Sequence, residues 1–338
     1  MELTASISLQ DLGWDIVLKD NLIYNLIIYN LRLNYTICII IIFTLYIQPV
    51  LSQKVGLVLS GGGAPGIAHI GVIKALEENN IPIDYITGTS IGAFIGGLYA
   101  SGYSPDEMIA FFKSSDFKRF KKIELKFPKK YFYPTHVIKP QRIQTGLEKL
   151  TGQAAKRSGE NFDSLFVPFR CVASDVYRKE PFIFCRGNLA TAIRASMTFP
   201  FVLEATKVDN RLLFDGGIYN NFPADIMQES FQPDFMIGSV VAYNPPPADP
   251  NDILMQLQNM IVNPTNYSIP DSLGMVLNFD LKKKSMFDFS HIDSLVNIGY
   301  AETKKQIDII KTKVQRRTST TEINQKRVLF RTACFSEK

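Results

Sequence analysis

The sequence predicts an α/β fold: a three-layer α/β/α sandwich with a mainly parallel central sheet. Three observations carry that expectation. Short apolar runs alternate with stretches whose apolar residues recur at helical spacing. Glycine-rich turns punctuate the strand-to-helix junctions, as crossover connections between parallel strands require. And 46% of the 338 residues are apolar, enough to bury a sizeable core.

The elements follow in chain order. From Lys54, KVGLVLS reads as a strand, GGGAPG as a turn and IAHIGVIKALEENN as a helix. IDYITG reads as the next strand, GTSIG as the next turn, and IGAFIGGLYASG as the next helix, in which Gly96 and Gly97 allow close packing. Further strands are expected at VPFRCVASDV, EPFIFCRG, RLLFDGG and DFMIGSVVAY. Further helices are expected at Pro105 to Ser114, Gln141 to Lys149, Leu189 to Met197, Pro223 to Ser230 and Val296 to Lys313. No internal repeat or low-complexity block interrupts them, so one domain over residues 53–313 is the economical reading. Residues 314–338 are polar and basic, and read as a tail or the start of a further region.

The first 52 residues stand apart from this pattern. Thr36 to Ile47 (TICIIIIFTLYI) is an apolar run preceded by Arg32 and followed by Gln48 and Pro49, the anatomy of a signal peptide, and cleavage is expected after Ser52. The run is short for a membrane span, which needs roughly 20 residues. An uncleaved inner-membrane anchor over residues 36–52 is the alternative, and the long stretch ahead of the run leaves open a true start beyond Met1. The expected location is therefore periplasmic, outer-membrane-associated or secreted.

Four cysteines give no metal-ligand spacing, and no metal is expected. Cys171 and Cys185 sit in apolar, strand-like surroundings and read as small buried hydrophobes. A net charge of +5 is modest for this length and carries no nucleic-acid-binding motif, so nucleic acid is not an expected partner. Lysines and aromatics do interleave over residues 111–133 (FFKSSDFKRFKKIELKFPKKYFY). That stretch reads equally as a solvated face with its aromatics turned inward and as a surface for anionic lipid.

Two turns carry chemistry. In GTSIG, residues 88 to 92, Ser90 lies between Gly88 and Gly92 at a strand-to-helix corner, the arrangement that presents a serine Oγ above a sheet edge as a nucleophile. In SGGGAPG, residues 60 to 66, Gly61, Gly63 and Gly66 match a dinucleotide fingerprint, and a nucleotide-binding enzyme is an alternative reading. Asp84 counts against it: the acidic residue precedes the second strand, where it cannot reach a ribose at the strand's carboxyl end. The same turn read for a hydrolase supplies backbone donors to an oxyanion, with Gly62 and Gly63 as the candidates.

The base is harder to find, because the chain has only three histidines, His69, His136 and His291. His69 reads as a satisfied helix residue, and only His291 could complete a Ser, acid, His order. The stronger candidate is Asp215 in RLLFDGG, a carboxylate at a strand end where Gly216 and Gly217 let its loop pack closely. Desolvation would raise its pKa into the range of a general base.

GGGAPG, then GTSIG, then DGG followed by NNFP resembles, in order and approximate spacing, the patatin-like phospholipase family of bacterial exported proteins, from about Val55 to about Val241. The resemblance implies a patatin-like sandwich and a serine acyl hydrolase of phospholipase A or lysophospholipase type acting without a cofactor. Ser90 and Asp215 would form its dyad, Gly61, Gly62 and Gly63 its oxyanion turn, and Gly66, Gly88, Gly92, Gly216 and Gly217 the supporting turns. RASMTFPFVL, residues 194 to 203, is similar to the family's acyl-pocket segment. Pro65 departs from the family pattern, standing where many members carry a basic residue. The partners implied are a lipid ester and a membrane surface. Related bacterial proteins continue into a periplasmic module and a β-barrel, so the chain reads either as a stand-alone domain or as part of that architecture. A catalytically silent interaction domain on the same fold is the remaining alternative.

Overall fold

The computed structural model describes residues 25–39, 53–120, 140–200, 202–244, 250–251, 256, 259–281 and 285–333. Residues Met1–Ser52 and Gln53–Lys338 form separate compact units. In the first, residues 25–39 form a helix that exposes apolar side chains such as Leu26 and Tyr35. No described helix is long and apolar enough to cross a membrane. Most of the expected signal core at 36–47, and the cleavage point after Ser52, lie outside the described residues.

Among the described residues the second unit is built on eight strands: β1 (Val55–Leu59), β2 (Tyr85–Thr89), β3 (Phe169–Asp175), β4 (Glu180–Phe184), β5 (Thr206–Val208), β6 (Arg211–Asp215), β7 (Phe235–Val240) and β8 (Gly274–Asn278). They hydrogen-bond in the order β5-β6-β3-β2-β1-β7-β8, with β4 also on β3. The β3-β2-β1-β7-β8 run is parallel, while β4 and β6 lie antiparallel to β3, and β5 antiparallel to β6. The sheet is thus mixed but mostly parallel.

The helices are α1 (Ala68–Glu78), α2 (Ile91–Ala100), α3 (Pro105–Lys113), α4 (Ser115–Phe120), α5 (Pro140–Arg157), α6 (Leu189–Ser196), α7 (Ala224–Phe231), α8 (Ile292–Lys313) and α9 (Thr320–Thr332). Alternation along β1 shows the three layers. Val55, Leu57 and Leu59 join the large core beneath α1, α2, α6 and α8, whereas Val58 joins a smaller core with Met227 of α7. Both faces of β1 are buried, as a central parallel strand requires.

One detail of register positions the site. Residues 169–172 of β3 pair with β2, and residues 173–175 pair with β6. Because β4 spans residues 171–175 on the opposite edge, β2 and β6 share one edge of β3 and run toward each other. Thr89 ends one at Val172, and Asp215 ends the other at Ala173. The residue after Thr89 therefore meets Asp215 head-on.

Several elements extend or depart from the expected ones. α5 runs to Arg157 and α8 begins at Ile292, each longer than its apolar periodicity suggested. The short edge strand β5 and strand β8 lie where no strand was expected. Residues 314–338, expected as a basic tail or the start of a further region, contain α9, which docks on α1 through a buried Arg327–Glu77 ion pair of 2.6 Å. Its apolar anchors, Ile323 and Phe330, are few and stand among charged residues, so hydropathy does not mark it as part of the core. Cys171 is buried as expected, but Cys185 is exposed, since it follows the end of β4.

Candidate active site

Ser90 sits at the corner between β2 and α2 with φ 54° and ψ −122°, a backbone conformation that costs a non-glycine residue about 1–3 kcal/mol. Its surroundings hold it there. Ser90 N–H donates to Ser196 Oγ at 2.9 Å, and Ser196 Oγ–H donates to the Val172 carbonyl at 2.5 Å. Gly88 and Gly92 have no room for a side chain: a Cβ on Gly88 would strike the Gly92 backbone, and one on Gly92 the Leu59 carbonyl. Gly66 lets the glycine turn pack against Ile91 for the same reason.

Ser90 Oγ–H donates to Asp215 Oδ2 at 2.6 Å. Gly217 N–H donates to Asp215 Oδ1 at 2.8 Å, and Asp215 N–H is held by the Thr198 carbonyl. The carboxylate is therefore fixed on both oxygens and at its backbone. Burial raises its pKa from 3.8 to about 6, against the lowering effect of the Ser90 and Gly217 hydrogen bonds. Gly216 packs against the Val172 carbonyl, which seats Asp215 at the β3 edge.

The glycine turn lies opposite. Gly62 has φ 152° and Gly63 φ 66°, conformations open to glycine. Gly61 N–H is engaged by the Asn221 carbonyl at 3.0 Å, so Gly61 lends the turn its anchorage and not a donor. Gly62 and Gly63 have no N–H acceptor among the described residues, and both line the cavity that contains Ser90. Ala64 N–H donates to the Met286 carbonyl, which ties the segment after β8 to this turn. Pro65 stands at the start of the 3-10 turn Ala64–Ile67 and lines the same cavity.

The two described histidines are not hydrogen-bonded to Ser90 or Asp215. His69 is fully buried, contacts Ser239 and Ser60, and is held neutral with its pKa lowered by burial to about 4. His291 precedes α8, facing Asp288 at 3.9 Å. His136 lies outside the described residues. Asp84 accepts Val55 N–H at the N-terminal edge of the sheet and pairs with Arg316, at the opposite strand ends from the glycine turn.

Ser90 and Asp215 open into a cavity of about 410 Å³, within the range of small-ligand sites. Met197, Phe199, Val202 and Leu203, from the segment expected to line an acyl pocket, contribute to its wall. Phe94, Phe112, Phe117 and Phe289 stack edge-to-face beside it, at 4.8–5.4 Å between centroids. The described part of the aromatic-and-lysine segment thus turns Phe112 and Phe117 inward, and its residues 121–133 lie outside the described chain. Asn221, whose amide donates to Tyr267 Oη at 2.7 Å, borders the site and was not singled out from sequence. The NNFP string after DGG was its only signal. Among the described residues no acidic, histidine or cysteine cluster could hold a metal.

The patatin family model, described as patatin-like phospholipase, matches residues 57–227. Patatin-like phospholipase domain-containing protein ZK370.4 of Caenorhabditis elegans is 33% identical over 179 residues, covering 52% of this chain and 13% of that protein. Lysophospholipase NTE1 of Mycosarcoma maydis is 34% identical over 176 residues, covering 52% and 9%. An uncharacterized NTE family protein of Mycobacterium tuberculosis is 36% identical over 172 residues, covering 51% and 45%. The chain spans less than half the length of each of these relatives. Human GIVD cytosolic phospholipase A2 is a distant structural likeness, with a TM-score of 0.43 at 12% identity over 81% of this chain and 60% of that one.

Proposed function

The chain belongs to the patatin-like phospholipase family, and from that premise we propose that it is a serine acyl hydrolase of lipids in which Ser90 is the nucleophile and Asp215 the general base. The observation that carries this reading is the 2.6 Å hydrogen bond from Ser90 Oγ to a desolvated Asp215 carboxylate at an apolar cavity. In the first step Ser90 Oγ attacks the ester carbonyl while its proton passes to Asp215 Oδ2. The tetrahedral oxyanion accepts hydrogen bonds from Gly62 and Gly63 N–H, each worth about 3 kcal/mol in the transition state. The C–O bond to the alcohol then breaks, and Asp215 returns the proton to the leaving oxygen. Water, deprotonated by the same carboxylate, attacks the acyl-serine and releases the fatty acid, restoring Ser90.

The substrate class is a lipid carboxylic ester of phospholipase A or lysophospholipase type, supported by the apolar wall and by the names of the relatives, one of which is a lysophospholipase. Export and contact with an anionic membrane surface belong to the same proposal. They rest on the residues at 36–52 and 111–133.

The test is release of fatty acid from a panel of phospholipids, lysophospholipids and short p-nitrophenyl esters, together with labelling by a fluorophosphonate probe. Wild type is expected to hydrolyse at least one class and to carry the probe on Ser90. Ser90→Ala and Asp215→Asn are expected to lose hydrolysis while remaining folded. Retained hydrolysis in either folded variant removes the dyad. A wild type that neither hydrolyses nor labels supports a silent interaction domain instead.

A further inference from the structure

A turn made of three successive glycines is a poor place for an oxyanion hole unless something outside it sets its shape. A peptide flanked by glycines rotates at little cost. A flip of the Gly61–Gly62 peptide would turn a carbonyl into the cavity where an N–H is needed, reversing the sign of the field at the developing oxyanion. The two peptides ahead of Gly63 are, however, held individually from behind.

The first is the peptide joining Ser60 to Gly61. Its carbonyl accepts from His69 Nε2 at 2.9 Å, and its N–H donates to the Asn221 carbonyl at 3.0 Å. A carbonyl can only accept, so Nε2 carries the proton. The neutral ring then offers Nδ1 as an acceptor to the Ser239 hydroxyl, 2.7 Å away. Ser239, on β7, thus selects the tautomer that grips Ser60. The second is the peptide joining Gly61 to Gly62. Its carbonyl accepts from Ser60 Oγ–H at 2.9 Å, and Ser60 Oγ itself accepts from Val241 N–H at 3.0 Å. A trans peptide points its N–H away from its carbonyl. Pinning the Gly61 carbonyl therefore turns Gly62 N–H, which has no acceptor among the described residues, to the opposite side. Ser60, His69 and Ser239 are all fully buried, so water does not compete for these bonds.

We infer that the Ser60 hydroxyl and the His69 imidazole are positioning residues for the acyl-transfer reaction: by holding the two carbonyls that precede Gly62 N–H, they keep that donor aimed at the oxyanion. The inference rests on the acyl hydrolase reading above. It gives the buried histidine, whose hydrogen bonds go to Ser60 and Ser239, a part in catalysis through backbone shape alone.

The experiment compares wild type with Ser60→Ala, Ser239→Ala and His69→Gln. Steady-state hydrolysis of a p-nitrophenyl ester is measured beside equilibrium binding of an alkyl trifluoromethyl ketone, which forms a tetrahedral oxyanion adduct on serine. Binding of a long-chain alcohol, which fills the cavity without forming an oxyanion, is the control. Ser60→Ala is expected to lower kcat roughly ten- to a hundred-fold, somewhat less than removal of a whole donor. KM and alcohol affinity should stay within about two-fold, while ketone affinity weakens by about the same factor as kcat/KM. Ser239→Ala should show the same pattern more weakly, and His69→Gln, whose amide can still donate to the Ser60 carbonyl, should keep most of the activity. Wild-type kcat and ketone affinity in a folded Ser60→Ala variant overturn the inference, and so does parallel loss of ketone and alcohol binding. If Ser60→Ala does not fold, Ser239→Ala decides on the same readouts. Failure of the hydrolase reading looks different, because wild type itself would then neither hydrolyse the ester nor bind the ketone.

Discussion

Ser90 Oγ and Asp215 Oδ2 lie 2.6 Å apart because β2 and β6 meet end to end on one edge of β3. No helix or loop has to fold back to bring them together. Asp215 ends β6, Ser90 directly follows the last residue of β2, and the register of β3 sets the distance between the two ends. The histidine that many serine hydrolases interpose has no space in such a contact. The proposed dyad instead needs a carboxylate that is a stronger base than one in water.

Activity should therefore follow the Asp215 carboxylate. Its pKa is raised to about 6 by burial, and only the ionised form accepts the Ser90 proton. We expect kcat/KM for a neutral ester to rise with pH and level off above about 7, with about a tenth of the plateau left at pH 5. A pH–rate profile measures this directly. A profile flat from pH 5 to 8 would exclude Asp215 as the base.

The same shift sets a stability cost. A carboxyl whose folded pKa lies above its unfolded value of 3.8 binds its proton more tightly in the native state, so stability falls as pH rises between about 4 and 6. Below that window the cost is absent; above it the cost is complete, at about 3 kcal/mol for a shift of this size. Asp215→Asn, which cannot ionise, should unfold at higher temperature than wild type at pH 7.5, and the gap should close toward pH 4. Calorimetry at both values tests it, and a gap independent of pH would show that ionisation is not its source.

Gly216 links Asp215 to Ser90, the proposed base and nucleophile. A Cβ there would collide with the Val172 carbonyl, which also accepts Ser196 Oγ–H, the group that holds Ser90 N–H. Gly216→Ala should displace both members of the dyad and lower kcat/KM by about a hundred-fold or more, the scale of a 1 Å misplacement. Circular dichroism should show the fold retained. Undiminished labelling of Ser90 by a fluorophosphonate would refute the linkage.

Much of this arrangement was legible in the sequence, and the remainder was not for definite physical reasons. The strands around Leu57, Ile86, Cys171 and Ile237 announce themselves as apolar runs because both faces of each are buried. DGG alone reads as an ordinary turn, and Asp215 is legible as a candidate only through the order GGGAPG, GTSIG, DGG. Gly61 was read as part of the oxyanion turn, but its N–H is taken by the Asn221 carbonyl, 160 residues on, a bond that no local pattern records. β5 is three residues long and its Lys207 is exposed, so it carries too little periodicity to stand out. α9 lies in a stretch that reads as a tail or the start of a further region, because Ile323 and Phe330 are its few apolar anchors among polar and charged residues.

The charged attachment of α9 gives the last prediction. Arg327 donates to Glu77 at 2.6 Å with both side chains almost wholly buried, and Tyr99 Oη–H donates to the same carboxylate oxygen at 2.8 Å. The Arg327 guanidinium also lies over the rings of Tyr99 and Phe166, at 5.7 and 5.2 Å. Removing one partner strands the other charge in a low-dielectric site, so Arg327→Met should cost about 3–5 kcal/mol of unfolding free energy. Removing both charges leaves no stranded ion. Glu77→Gln combined with Arg327→Met should therefore recover a large part of that loss, since a buried ion pair often does little better than neutral packing. Urea denaturation of the two single variants and the double variant closes the thermodynamic cycle. A double variant whose loss equals the sum of the singles would show that the two side chains do not interact, and would leave α9 held by its other contacts, among them the Arg331–Glu107 ion pair.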